Sequence, residues 1–122
     1  MDEQRQPATK RYDLEDRTFE SARRCRAFVK QLPTTVCNQE DGRQLVRSSG
    51  SVGANYIEPN ESLSKKDFQM RIKISRKESK ESRYWLRLID CGANADSERE
   101  RSALVQEATE LIKILSAILN RR

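Results

Sequence analysis

Apolar residues recur along this chain at every third or fourth position, and no segment shows the apolar–polar alternation of a strand. Breaks in that rhythm divide the chain into four predicted helices. The first is expected from a cap at Asp13 to about Gln31, with Leu14, Ala22, Cys25, Phe28, Val29 and Leu32 on one core-facing arc. Phe19 and Arg26 lie off that arc, which implies a second contact. Pro33 ends the helix, because the residue before a proline is pushed out of the helical region.

The second helix is expected from Asn38 or Asp41 to Glu58, with Leu45, Ser48, Ser49, Val52, Asn55 and Tyr56 on one side. Its middle, SSGSVGAN, is a poor helix former, since Gly50 and Gly53 each cost about 1 kcal/mol relative to alanine. Such a cost suggests close packing, and the small seam Ser75, Ser79 and Ser82 of the third helix is the expected partner. Read instead as a phosphate-cradling loop, the segment lacks the GxxxxGK[ST] pattern and a preceding strand. Pro59 and Asn60 then break the chain.

Ser64, followed three residues later by Asp67, has the form of a capping box and starts the third helix near Lys65. No Gly or Pro interrupts it before Cys91. Phe68, Ile72, Ser75, Ser79, Ser82, Leu86 and Ile89 share one arc; Met70, Ile74, Trp85 and Leu88 share a neighbouring one. Two apolar arcs predict two partners. Gly92 suits a left-handed residue at the helix end, and Ser97 with Glu100 repeats the capping-box form before a fourth helix reaching about Asn120. Leu104, Ala108, Leu111, Leu115, Ile118 and Leu119 form its arc, widened by Val105, Ile112 and Ile114. That breadth implies either deep burial or contact with another subunit. Four helices with short links predict an all-α fold, an up-down-up-down antiparallel four-helix bundle over residues 12–122, preceded by a flexible arm at 1–11.

Charge changes this picture most in the third helix. Lys65, Lys66, Lys73, Arg76, Lys77, Lys80, Arg83 and Arg87 fall within one arc of roughly 120°, and only Arg71 lies elsewhere. From Ser64 to Cys91 nine Lys and Arg oppose four acids, a balance equal to the +5 of the whole chain. An ordinary solvated face is the plain alternative. Such a face usually interleaves Glu with Lys at four-residue spacing, whereas here like charges stack at a cost of a few tenths of a kcal/mol per pair. A polyanion along the stripe would relieve that repulsion and release counterions.

The remaining inventory mainly excludes. With 122 residues the chain is one domain, and its pI near 9.3 favours anionic partners. No stretch approaches the apolar length of a membrane span, and the first residues lack a secretory h-region, so a cytoplasmic protein is expected. Three cysteines without CxxC spacing, and no histidine at all, argue against a zinc site and remove the usual general base and nucleophile pairs. No catalytic residue, metal or cofactor is therefore expected. Arg47, Asn55, Glu58, Arg71 and Glu78 flank the buried arcs of the two middle helices; they form an inter-helix network, a catalytic cluster, or simply a partly exposed bundle edge.

The centre of the chain, QLVRSSGSVGANYIEPNESLSKKDFQMRIKISRKESKESRYWL, resembles the four-helix-bundle family encoded in intervening sequences of bacterial 23S rRNA genes. The matching positions are Gln44, Leu45 and Arg47, then Val52, Asn55 and Glu58, then Ser64, Lys65, Lys66, Asp67 and Phe68. That family is similar in turn to the accessory variability proteins of diversity-generating retroelements, homopentameric bundles that bind nucleic acid and a reverse transcriptase. The resemblance implies a bundle, ring-like homo-oligomerisation up to a pentamer, and association with nucleic acid; it assigns no catalytic residue.

Together these readings predict a non-enzymatic oligomer that binds RNA or DNA through phosphate contacts along the third helix. Tyr84, inside the basic arc, is the better candidate to stack on a base, and Trp85 is expected to pack. The alternative is an adaptor whose stripe docks an acidic protein or a reverse transcriptase.

Overall fold

The computed structural model describes residues 10–56 and 64–121, and it is all helical there. Four helices follow one another: α1 Lys10–Lys30, α2 Val36–Tyr56, α3 Lys65–Leu88 and α4 Ala95–Arg121. Each packs on its chain neighbours and α1 also meets α4, while the backbones of the diagonal pairs stay farther apart among the described residues. This is the antiparallel up-down-up-down bundle that the short links imply. The expectations for Glu58, Pro59 and Asn60, and most of the expected arm, fall outside the described residues.

Helix ends follow capping chemistry, and four differ from expectation. Ser64 caps α3 as anticipated, its Oγ accepting from Asp67 N at 3.1 Å. α2 starts earlier than Asn38 because Thr35 caps it, Oγ1 accepting from Asn38 N at 3.1 Å and its carbonyl from Gln39 N at 2.9 Å. At α4 the cap is Asn94 rather than Ser97: Asn94 Oδ1 accepts from Ser97 N at 3.0 Å, leaving Ser97 buried inside the first turn. α1 begins at Lys10, so the last two residues of the expected arm are helical and Asp13 lies within the helix. α3 ends at Leu88, short of Cys91, with Ile89 as its extended C-cap.

The core has two apolar halves and a polar waist. One half joins Cys25, Phe28, Leu45, Leu86, Ile89, Cys91 and Leu104, with Trp85 and Val105 packed on it. In the other are Leu14, Tyr56, Ile72, Leu111 and Leu115, with Phe68, Ile114, Ile118 and Leu119 against them. Packing inside the chain therefore accounts for most of the broad arc of α4. Hydroxyls fill the space between: Ser48 Oγ and Ser82 Oγ lie 2.9 Å apart, and Ser75 Oγ donates to the Val52 carbonyl at 2.7 Å.

The small residues of α2 serve two neighbours, which corrects the single seam expected with α3. Ser48 faces α3, but the glycines face α1. A Cβ on Gly53 would stand 2.9 Å from Thr18 Oγ1, one on Gly50 3.2 Å from Arg26 Nη2, and one on Gly42 3.0 Å from Val29 Cγ1. α1 can approach α2 because those Cβ atoms are absent.

On its other side α1 is tied to α4 by ion pairs. Arg17 donates to Glu107 at 2.8 Å and to Glu110 at 3.1 Å, and Arg24 donates to Glu100 at 3.0 Å. Hydrogen bonding to Glu107 raises the Arg17 pKa above its ordinary value, and the Glu110 carboxyl is held below its own by Gln106 and then by Arg17.

Cys25 and Cys91 are buried free thiols, whereas Cys37 is exposed. Burial pushes the Cys25 thiol from 9.0 up to about 11, against a weaker opposing hydrogen bond from Ser49. The folded state thus holds this proton more tightly than the unfolded chain does. Stability from Cys25 is fully present below about pH 9 and lost as pH rises through about 11, a total of about 2–3 kcal/mol. Urea denaturation at stepped pH under reducing conditions should show this loss, and Cys25→Ala should flatten that part of the profile.

Candidate nucleic-acid interface

A 24-residue α3 presents three sides. Ile72, Ser75, Glu78, Ser79, Ser82 and Leu86 are buried. The side toward α2 carries the acids that meet Arg47: its Nη2 donates to Glu78 at 3.1 Å and to Glu81 at 3.0 Å. The remaining side carries the cations.

Those eight cations form two tiers. Lys65, Lys66, Lys73, Lys77, Lys80 and Arg87 are exposed, while Arg76 and Arg83 are half-buried and lean onto α4. Arg76 Nη1 donates to Ser116 Oγ at 3.2 Å, and Arg83 Nη1 donates to Thr109 Oγ1 at 3.2 Å. A guanidinium has five donors and neither hydroxyl neutralises it, so both arginines keep their charge and spare N–H groups. Their spacing explains the match: Arg76 and Arg83 are seven residues apart, as are Thr109 and Ser116 on the antiparallel helix, so both pairs meet across one seam. That sevenfold echo is legible in the sequence only once α3 and α4 are known to be neighbours.

Lys77 has one carboxylate neighbour, Glu81 at 3.5 Å on the α2 side. None of the other seven stripe cations has an ion pair with a described carboxylate, in contrast to Arg17, Arg23, Arg24 and Arg47, each held by glutamate. α4 continues the same face with Ser102, Gln106, Thr109, Lys113 and Ser116, an alternating four-and-three row that contains no acid. The result is a cationic face over α3 and α4 with carboxylates only at its edges, Glu81 beside Lys77 and Glu110 beside Gln106.

Tyr84 is 56% exposed within this face. Its ring meets Trp85 edge-on, centroids 5.1 Å apart and planes at 78°. Trp85 is half-buried against the apolar half that contains Cys25 and Leu86. Its indole N–H is buried without an acceptor among the described residues, so packing alone holds it.

Of the five residues read as a polar group, the structure joins Arg47 to Glu78 across α2 and α3. Arg71 Nη1 reaches the Asn55 carbonyl at 3.5 Å, but the Asn55 side chain turns back along its own helix to Ser51 O at 2.8 Å. Glu58 lies outside the described residues. Among the described residues, no three His, Cys, Asp or Glu gather as a metal site requires, and no helix is long and apolar enough to cross a membrane.

The sequence missed one polar element, Asn38. It is 4% exposed, and its amide pairs both ways with the backbone of Asp90: Nδ2 donates to Asp90 O at 2.9 Å and Oδ1 accepts from Asp90 N at 3.1 Å. The same Nδ2 donates to Pro33 O at 3.1 Å. Beside this clasp Gly92 takes φ +69°, and a Cβ there would stand 3.1 Å from Pro33 Cγ.

Away from the cationic face, an open groove of about 540 Å³ runs between α1 and α2, with Phe19, Ala22, Gly50, Gly53 and Ala54 along it. Phe19 is 68% exposed at its lip, so the second contact expected of it is not made with the other described residues. Arg26 does reach α2, at Val46 O, 3.5 Å.

The bundle is similar to the crystal structure of a protein of unknown function from the S23 ribosomal protein family of Bacteroides thetaiotaomicron. The two are 28% identical, with a TM-score of 0.70 over 87% of this chain and 97% of that one. No curated protein matches the chain. The model of the 23S rRNA-intervening sequence protein family matches residues 10–117, which include every residue named in the cationic face, and the chain belongs to that family.

Proposed function

We propose that this protein is a non-enzymatic, homo-oligomeric nucleic-acid-binding bundle that holds the phosphate backbone of RNA or DNA, without reading sequence, on the α3–α4 face. The observation that carries the reading is the sorting of charge. Arg17, Arg24 and Arg47 are each matched to glutamate, while the exposed cations of α3, apart from Lys77, have no carboxylate partner among the described residues. Cations held apart from acids raise the local potential and favour a polyanion whose counterions are released on binding. Phosphate contacts carry no sequence information of their own, so affinity without sequence preference follows from this reading.

Exposed Phe19 beside the α1–α2 groove, together with exposed Met70 and Leu88 on α3, supports self-association, since apolar surface of this kind gains by burial against another copy. A ring of copies, up to a pentamer, would repeat the cationic face and raise avidity for a long polyanion.

Nuclease-treated protein should be run by size exclusion with light scattering, alone and with generic RNA and DNA duplexes, at low and moderate salt. A multimer that shifts with nucleic acid at low salt and loses it as salt rises is the expected result. A protein that ignores nucleic acid at low salt yet co-purifies with an acidic protein partner would replace this reading with the adaptor.

A further inference from the structure

Lys73, Lys77, Lys80, Tyr84 and Arg87 follow one another at intervals of four, three, four and three residues, and all five are exposed. On an α-helix that spacing is a straight row, with successive members about 5–6 Å apart. Tyr84 thus occupies a cation's place, one turn from Lys80 and one turn from Arg87. An aromatic ring 56% exposed in a row of charges gains nothing from the core. It is nonetheless supported on one side, because it meets Trp85 edge-on and Trp85 packs against the core.

We infer that Tyr84 is a stacking platform for an unpaired base, and that the face prefers single-stranded nucleic acid over duplex. This rests on the phosphate-binding reading above and narrows its ligand. The phosphates on either side of the stacked nucleotide engage Lys80 and Arg87 while the base lies on the ring. A duplex cannot use the platform, because its bases are already stacked on each other. Stacking also tolerates any base, since each has a π-face, in keeping with a surface that reads no edges.

The test uses the full chain and fluorescein-labelled oligo(U), oligo(dT) and blunt RNA and DNA duplexes, each about 12 nucleotides long, within known single-strand site sizes. Tyr84→Ala and Tyr84→Leu should both lower single-strand affinity about tenfold or more, the range that one base–aromatic stack supplies. Both should leave duplex affinity and the salt slope unchanged, since no charge is removed. Tyr84→Phe should retain binding. The chain has one tryptophan, in contact with Tyr84, so its fluorescence should respond to oligo(U) or oligo(dT), not to duplex, and lose that response in Tyr84→Ala. Comparison of the oligo(U) and oligo(dT) arms separates RNA from DNA.

Several results would overturn the inference. If Tyr84→Ala weakens single strand and duplex equally, or neither, while a lysine-neutralised variant weakens both, the platform is wrong and the cationic face stands. If the lysine-neutralised variant also binds as tightly as the parent, both readings fall. Tyr84-dependent binding of polyglutamate matching that of oligo(U) would assign the row to an acidic polypeptide.

Discussion

Replacing Lys73, Lys77 and Lys80 together by Gln is expected to weaken binding to generic RNA or DNA by roughly two orders of magnitude near 0.1 M salt, with a salt slope shallower by about 2–3. Each phosphate contact on duplex releases close to one counterion, so three lost contacts subtract from the slope in proportion. The three lysines suit the test because they are exposed and contribute little to folding. Lys73 and Lys80 have no ion pair among the described residues, and the Lys77–Glu81 pair, 3.5 Å long with a 64% exposed lysine, is of the kind that adds little in water. Thermal unfolding of the triple variant should therefore match the parent within about 0.5 kcal/mol. Arg76 and Arg83 are left alone, since their contacts with Ser116 and Thr109 belong to the α3–α4 seam. Unchanged affinity in this variant, measured by anisotropy across a salt series, would remove the cationic face from the mechanism.

Asn38→Ala is expected to cost about 3 kcal/mol, a large part of a typical domain's 5–15 kcal/mol. The amide makes three hydrogen bonds to backbone groups of the α1–α2 and α3–α4 connections. Truncation removes those bonds and leaves the Asp90 N–H and carbonyl without their side-chain partner. Asn38→Asp should be no better: it keeps the acceptor toward Asp90 N but turns a carboxylate toward the carbonyls of Pro33 and Asp90. Asn55→Ala is the matched control, because the Asn55 amide bonds only within its own helix. Urea denaturation of all three variants checks the order, and equal stability of the Asn38 and Asn55 variants would show the clasp to be dispensable.

These two substitutions divide what could and could not be read from the chain. The cationic stripe was legible because helical period alone puts Lys73, Lys77 and Lys80 on one side, whatever packs on the other. So was the start of α3, where Ser64 and Asp67 act through neighbouring backbone atoms. Asn38 was not legible, since its partner lies 52 residues away and local pattern carries no trace of such a contact. The glycines of α2 fall between these cases. Their cost announced close packing, but a glycine does not say toward which neighbour, and Gly42, Gly50 and Gly53 turned out to make room for α1. The caps at Thr35 and Asn94 had the right chemistry in the sequence and lost only to more conspicuous neighbours. Arg76 and Arg83 needed the α3–α4 seam itself before their hydroxyl partners could be named.

The polar waist bears on how the helices find their alignment. Two helices joined by uniformly leucine-rich seams can slide by seven residues and still bury leucine on leucine. Here such a slide would replace one hydroxyl of the pair with an apolar side chain: because Ser75 and Ser82 are themselves seven residues apart, one direction sets Phe68 where Ser75 meets Val52 O, and the other sets Ile89 where Ser82 meets Ser48. The waist works like the teeth of a key: it gives up some apolar burial, and in return it makes one longitudinal setting of α3 against α2 distinguishable from its neighbours. Because the cationic row and the Arg76 and Arg83 contacts ride on α3, that setting also decides where along the bundle the charges come to rest.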